Sequence, residues 1–156
     1  PYWHIPISFF EENPYNKNNI LFTVVRNPYT RIISEAFCKF GGKYHLGPFL
    51  NKFDFNRYII DRIKKIKKKN FLHFQPQYLY THDKNGKQII ENIIYFENIS
   101  NEFNNFMNKN GFNIKLNIHK NKSEKIFGIN DLFKKTIDLI NEVYDKDFIY
   151  YGYDKI

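Results

Sequence analysis

Cysteine, methionine and tryptophan each occur once in the 156 residues. The single cysteine, Cys38, excludes an internal disulfide framework and a cysteine-rich zinc site. No apolar run approaches the ~20 residues that a membrane-spanning helix needs, and no segment reads as a secretory signal. The phosphate loop G-x-x-x-x-G-K-[ST] is missing, as is any recognised nucleic-acid-binding motif. No internal repeat is visible. Acidic side chains are in the minority, 16 against 24 Lys and Arg, which leaves a formal net charge of +8. That surplus favours an anionic partner, whether nucleotide, sulfated or uronic glycan, nucleic acid or membrane surface, without choosing among them. What the chain has in plenty is aromatic side chains, 17 Phe and 12 Tyr, which excludes the disordered class. The length predicts one domain, residues 1–156, with a real core.

The most informative stretch is Ile20 to Phe37, ILFTVVRNPYTRIISEAF. Ile20-Leu21-Phe22-Thr23-Val24-Val25 is β-branched and aromatic with no helical period, and predicts a strand buried on both faces. Arg26 follows. Asn27-Pro28 then ends the strand, because a residue before proline is pushed out of the α region, and Pro28 suits the first turn of a helix. Tyr29, Ile32, Ile33, Ala36 and Phe37 recur at helical spacing. Strand, arginine, tight turn and helix put a cation at the carboxyl end of a strand. The expectation is that free N–H groups of the helix N-terminus lie beside it, where α/β sheets bind anions. Ser34 comes eight residues after Arg26, about two helical turns in, so its hydroxyl could share a phosphate with the guanidinium. A surface ion pair and a solvated serine are the plainer reading of the same residues.

Elsewhere the pattern alternates between helices and loops. Pro6 argues against a helix at the start, and Glu11 to Asn19 reads as a loop, as does Cys38 to Phe49. Asp54 is expected to cap a helix through Phe55, Ile59, Ile63 and Ile66, ending in the basic run Lys64 to Lys69. That run suits a polyanion site or, more simply, a solvated helix end. Asp83 to Lys87 is a turn. Ile93 to Phe96 predicts a second buried strand ending at Glu97. Ser100 is expected to cap a helix over Phe103, Phe106 and Met107, stopped by Gly111. Asn130 is expected to cap a last helix with Leu132, Phe133, Ile137, Ile140, Val143 and Tyr144 on one face.

Residues Val25 to Ala36, V-R-N-P-Y-T-R-I-I-S-E-A, resemble the 3′-phosphate-binding motif R-[DN]-P-x-x-R-x-x-S of carbohydrate sulfotransferases, which use 3′-phosphoadenosine 5′-phosphosulfate (PAPS). Arg26, Asn27, Pro28, Arg31 and Ser34 all match. Three further segments resemble the family in order. Phe71 to Leu79 is similar to its H-[WF]-x-P-Q segment, Ile93 to Phe103 to its strand-then-helix signature, and Tyr144 to Tyr153 to its usual ending. His119 to Ser123 resembles, in two residues, its N-x-S nucleotide loop.

The resemblance implies an α/β fold, a parallel sheet flanked by helices and related to P-loop kinases. It implies PAPS as donor, no metal, and transfer of a sulfuryl group to a hydroxyl of a carbohydrate, likewise a glycan partner rather than nucleic acid. It assigns the donor's 3′-phosphate to Arg26 and Ser34, with Arg31, Asn121 and Ser123 as further cofactor-binding positions and His73 and Gln77 facing the acceptor. His4 lies before the strand much as the catalytic histidine of uronyl 2-O-sulfotransferases does, which implies a general base. The plainer reading of His4 is a half-packed side chain. The family's K-x-G-S/T-T loop for the 5′-phosphosulfate is not found. The fold is therefore expected to be incomplete at its N-terminus, and these 156 residues alone to transfer slowly. A non-catalytic basic module for polyanionic glycan or nucleic acid is the alternative. If His4 is the base, His4→Ala in an enzyme with the expected upstream loop restored lowers turnover by roughly 10²–10⁴ and leaves nucleotide affinity nearly unchanged, measured by single-turnover sulfuryl transfer beside calorimetry. Loss of stability without loss of rate would identify a packing residue instead.

Overall fold

A computed structural model describes residues 5–16, 18–38, 48–66, 72–117 and 125–156. Two strands, β1 (Phe22–Val25) and β2 (Asn92–Tyr95), pair in parallel, with Phe22 opposite Asn92 and Val25 opposite Tyr95. Parallel strands cannot be joined by a hairpin. The chain between them runs through α1 (Pro28–Ala36), α2 (Lys52–Lys64) and two short 3₁₀ turns, Leu72–Phe74 and Gln77–Tyr80. After β2 come a 3₁₀ turn at Phe96–Asn98, α3 (Ile99–Lys109), a 3₁₀ turn at Ile129–Asp131, α4 (Lys134–Val143) and α5 (Asp145–Tyr151). The architecture is α/β, as expected.

The main core lies among helices rather than across the sheet. Tyr29, Ile32, Ile33 and Ala36 of α1 meet Phe55, Ile59 and Ile63 of α2, Ile140 of α4 and Phe148 of α5, with Phe49, Phe74 and Tyr144 filling between them. The helical spacing of those α1 and α2 residues is what brings them to one face. Ring pairs at 5–6 Å, such as Phe49 edge-on to Phe55 at 5.3 Å and Tyr29 against Phe148 at 5.2 Å, give the core its shape.

The strand prediction needs correction. β1 is not buried on both faces: Val25 is 1% exposed, but Phe22 is 39% and Val24 40% exposed. Among the described residues β1 has a single neighbouring strand, β2, and its Phe22 face is covered only in part, by Phe103 and Phe106 of α3 at 6.0 and 5.1 Å between ring centroids. Three helix starts also move. Asn51, not Asp54, caps α2, its side chain accepting from the Asp54 N–H at 3.0 Å, while Asp54 accepts in return from the Leu50 N–H at 3.2 Å. Ser100 lies inside α3, which begins at Ile99. The single last helix expected after Asn130 is two, α4 and α5, meeting at Tyr144.

Buried polar groups tie the late elements to the early ones. The Asn56 amide donates to the carbonyls of Lys52 and Asp131, both at 2.8 Å, and accepts from the Phe133 N–H at 2.8 Å and the Thr136 hydroxyl at 2.7 Å. All of its capacity at the amide is thereby used, as burial demands. The Tyr144 hydroxyl donates to the Phe74 carbonyl at 2.6 Å. Asp147, fully buried, accepts from the backbone N–H groups of Gln77 at 2.7 Å and Tyr78 at 2.8 Å, one on each carboxylate oxygen. Burial pushes its carboxyl up from the ordinary carboxylate range, and the two N–H donors pull it back. Asp147→Asn turns an amide nitrogen towards one of those N–H groups. The expected loss is about 2 kcal/mol of stability, seen as a lower urea midpoint at unchanged slope. An unshifted midpoint would show that these bonds contribute nothing net.

Candidate anion site at the carboxyl ends of the strands

Arg26 stands one residue beyond β1, at the carboxyl end of the sheet. Its backbone is clamped. The Arg26 N–H donates to Oε1 of Gln77 and Nε2 of Gln77 donates to the Arg26 carbonyl, both at 2.8 Å. This is the two-point pairing that an adjoining strand would make, supplied by a side chain. The Arg26 side chain is oriented as well. Nε donates to the Thr30 hydroxyl at 2.9 Å, and the guanidinium carbon sits 4.2 Å from the centroid of the Phe96 ring. Thr30 lies on α1 four residues before Ser34, so Thr30 and half-buried Ser34 line the same face one turn apart. Arg26 thus meets, at Thr30, the helix face that carries Ser34 one turn further on.

Among the described residues no carboxylate forms an ion pair with Arg26, although Glu97 acts on it electrostatically. Burial pushes the guanidinium down from its ordinary range and the Glu97 charge raises it. Lys125 is a second cation at this end. Burial, and then the Arg26 charge, push its ammonium down. Lys125, exposed at the surface, thus adds positive charge on the side of Arg26.

The helix N-terminus does not contribute as expected. The Asn27 side chain accepts from the N–H of Tyr29 at 3.0 Å and of Thr30 at 3.4 Å, and Pro28 has no N–H to offer. The first turn of α1 is capped by its own asparagine, which leaves side chains, not backbone, to hold an anion.

The other residues singled out in the sequence fall into three groups. Gln77, expected to face an acceptor, is 7% exposed and its amide is occupied behind Arg26, so its place is that of a brace. Arg31 and His73 are brought together, since Nη2 of Arg31 donates to the His73 carbonyl at 2.8 Å, while His73 Nδ1 lies 3.1 Å from a Glu35 carboxylate oxygen. Arg31 thus points to the 72–74 turn rather than along the Arg26 face. His4, Asn121 and Ser123 lie outside the described residues, as do Lys67 to Lys69 of the basic run. Sequence reading missed Thr30, Lys125 and Tyr153, and noted Glu97 only as the residue ending the second strand and as a stand-in base should His4 prove to be packed. Only Thr30 carried a local signal, midway between Arg26 and Ser34 at intervals of four.

No family model, no curated protein and no solved structure matches the chain. Among the described residues, no group of three or more His, Cys, Asp and Glu is arranged to hold a metal ion, and no helix is long and apolar enough to cross a membrane.

The hydrogen bond to Glu35 raises the His73 imidazole above its ordinary value of 6.5, against the opposing effect of burial. A folded value above the unfolded one means that the pair's stabilisation is complete below the unfolded value and is lost as pH rises through the folded one. Glu35→Gln is expected to return His73 towards its ordinary range in an NMR titration. It should also remove the part of the melting temperature that declines across that interval. A His73 titration unmoved by Glu35→Gln would show that the contact is not electrostatic.

Proposed function

We propose that the chain is a PAPS-dependent sulfotransferase domain, transferring a sulfuryl group to a hydroxyl of a carbohydrate. The observation that carries this reading is Arg26: a guanidinium at the carboxyl end of a parallel strand, fixed in backbone and side chain, with no carboxylate ion pair among the described residues. Fixing an arginine this way costs conformational entropy and desolvation, and an ion-pair partner within the chain would be the ordinary compensation. A bound anion supplies it instead. The residue types suit a 3′-phosphate. Arg26 offers the remaining N–H donors of its fork, Ser34 a hydroxyl on the same helix face, and Lys125 a second charge.

When bound, PAPS supplies the activated sulfuryl group. The tasks left to this chain are to grip the phosphate, to orient the donor and to accept the proton of the attacked hydroxyl, the last assigned to His4 by resemblance. We read the β1–β2 pair with its crossover helices as part of a P-loop-kinase-like sheet, in which nucleotides bind at the carboxyl ends of the strands. The basic binding module explains the +8 charge but not why one arginine is held so firmly.

Arg26→Ala is expected to weaken binding of adenosine 3′,5′-bisphosphate at least tenfold in calorimetry, since hydrogen bonds to charged groups contribute about 1.5–3 kcal/mol each. Ser34→Ala is expected to cost about three- to tenfold. Equal affinities, with the circular dichroism of the wild type retained, would remove the assignment. Binding that ignores the nucleotide and falls steeply with salt would favour the basic module.

A further inference from the structure

Glu97 stands beside Arg26 without pairing with it. The parallel register sets Val25 opposite Tyr95. One residue further on, Arg26 runs beside Phe96, and Asn27 beside Glu97. The guanidinium accordingly lies over the Phe96 ring, and the Asn27 N–H donates to Oε1 of Glu97 at 2.9 Å. Glu97 is near enough to be the leading charge acting on Arg26. It is the natural counter-ion, yet its carboxylate is held elsewhere at both oxygens. Oε2 accepts from the Tyr153 hydroxyl at 3.0 Å.

Tyr153 reaches that oxygen because α5 ends in a left-handed residue. Gly152 has φ +67°, a conformation that costs glycine little, and the chain reverses there. The reversal lets the Tyr153 N–H donate to the Phe148 carbonyl at 3.0 Å. It also brings the Tyr153 ring edge-on to Tyr95, 5.9 Å between centroids. The phenol is thus fixed by a helix cap on one side and a strand residue on the other, with its hydroxyl on Glu97.

We propose that Tyr153 is a positioning residue for the anion site: it holds Glu97 off Arg26, and so keeps the guanidinium for a phosphate. The inference rests on the reading of Arg26 as the phosphate-binding group. A guanidinium–carboxylate pair is a stronger hydrogen-bonding arrangement than a phenol–carboxylate one. Without the hydroxyl, Oε2 loses its donor and Arg26 is the cation within reach. Glu97 then competes with the phosphate for the same N–H groups. With the hydroxyl in place, the carboxylate does two other jobs, pinning the Asn27 N–H at the start of α1 and anchoring the end of the chain.

The test is a calorimetric cycle with adenosine 3′,5′-bisphosphate as the probe, on wild type, Tyr153→Phe, Glu97→Gln and the double variant. Tyr153→Phe is expected to weaken binding about fivefold, and the double variant to bind as tightly as Glu97→Gln alone. A purely structural role for Tyr153 would not be rescued by neutralising Glu97. Glu97→Gln by itself is expected to tighten binding about threefold, because it removes a negative charge from beside the anion. That arm stands even if Tyr153→Phe does not fold. Unchanged affinity in Glu97→Gln, or an equal loss from Tyr153→Phe in both backgrounds, overturns the inference while leaving Arg26 in its role. No binding by the wild type, or binding indifferent to Arg26→Ala, overturns the underlying reading and the inference with it.

Discussion

The side-chain amide of Gln77 closes the edge of β1 at Arg26, and most of what is orderly at this end of the molecule depends on that pairing. An arginine just past a strand has a backbone with no regular partner and a side chain with many rotamers. Gln77 removes the first freedom by meeting both the N–H and the carbonyl of Arg26. It can do so only because its own backbone is held by Asp147, a carboxylate buried at the start of α5. A buried charge is tolerated when donors surround it, and here those donors are the N–H groups of the very turn that presents Gln77. Strand end, 3₁₀ turn and last helix thus form one chain of hydrogen bonds, in which each link satisfies a group that burial would otherwise penalise.

The C-terminal segment serves the same turn from two other directions. The Tyr29 hydroxyl donates to Asn141 and accepts from the Ile156 N–H, so the first turn of α1 is bonded to α4 and to the last residue. Tyr153 acts through Glu97 on Asn27. Arg26, Asn27 and Tyr29 are therefore each fixed by residues more than fifty positions away. The charge of Arg26 is set by the same arrangement: its neighbours are an aromatic ring, a threonine hydroxyl and a carboxylate turned to other partners. A rigid cation so surrounded has more to gain from an incoming anion than a mobile surface arginine, which water already serves well.

The order of strand, arginine, turn and helix was legible from residues 20–37 alone, because each step has a local cause. β-Branched residues favour extended backbone, proline forbids helix before it, and Tyr29, Ile32, Ile33 and Ala36 repeat at the helical interval. The same reasoning found α2, β2 and α3 and was off at their ends: Asn51 and Asn98 rather than Asp54 and Ser100 occupy the cap positions, α2 stops at Lys64 short of Ile66, and β2 is Asn92–Tyr95 rather than Ile93–Phe96. Burial of β1 was misjudged for a different reason. An apolar run shows that a strand can be buried, whereas whether it is depends on what lies on each face, and Phe22 and Val24 find only partial cover among the described residues.

By itself the sequence determined the local conformations, the apolar faces of α1 and α2, and the presence of an arginine and a serine two helical turns apart. Those follow from periodicity and from the backbone limits of proline and asparagine, which act over a few residues. Tertiary structure decided which polar groups were already occupied. Nothing in residues 26–34 shows that Gln77 is a brace rather than a contact to substrate, or that Glu97 is turned to Tyr153. Hydrogen bonds join groups 51, 56 and 70 positions apart in the chain, and such pairings leave no period or spacing to read. They are settled by parallel register and helix packing, which bring distant residues within 3 Å only once the fold has formed.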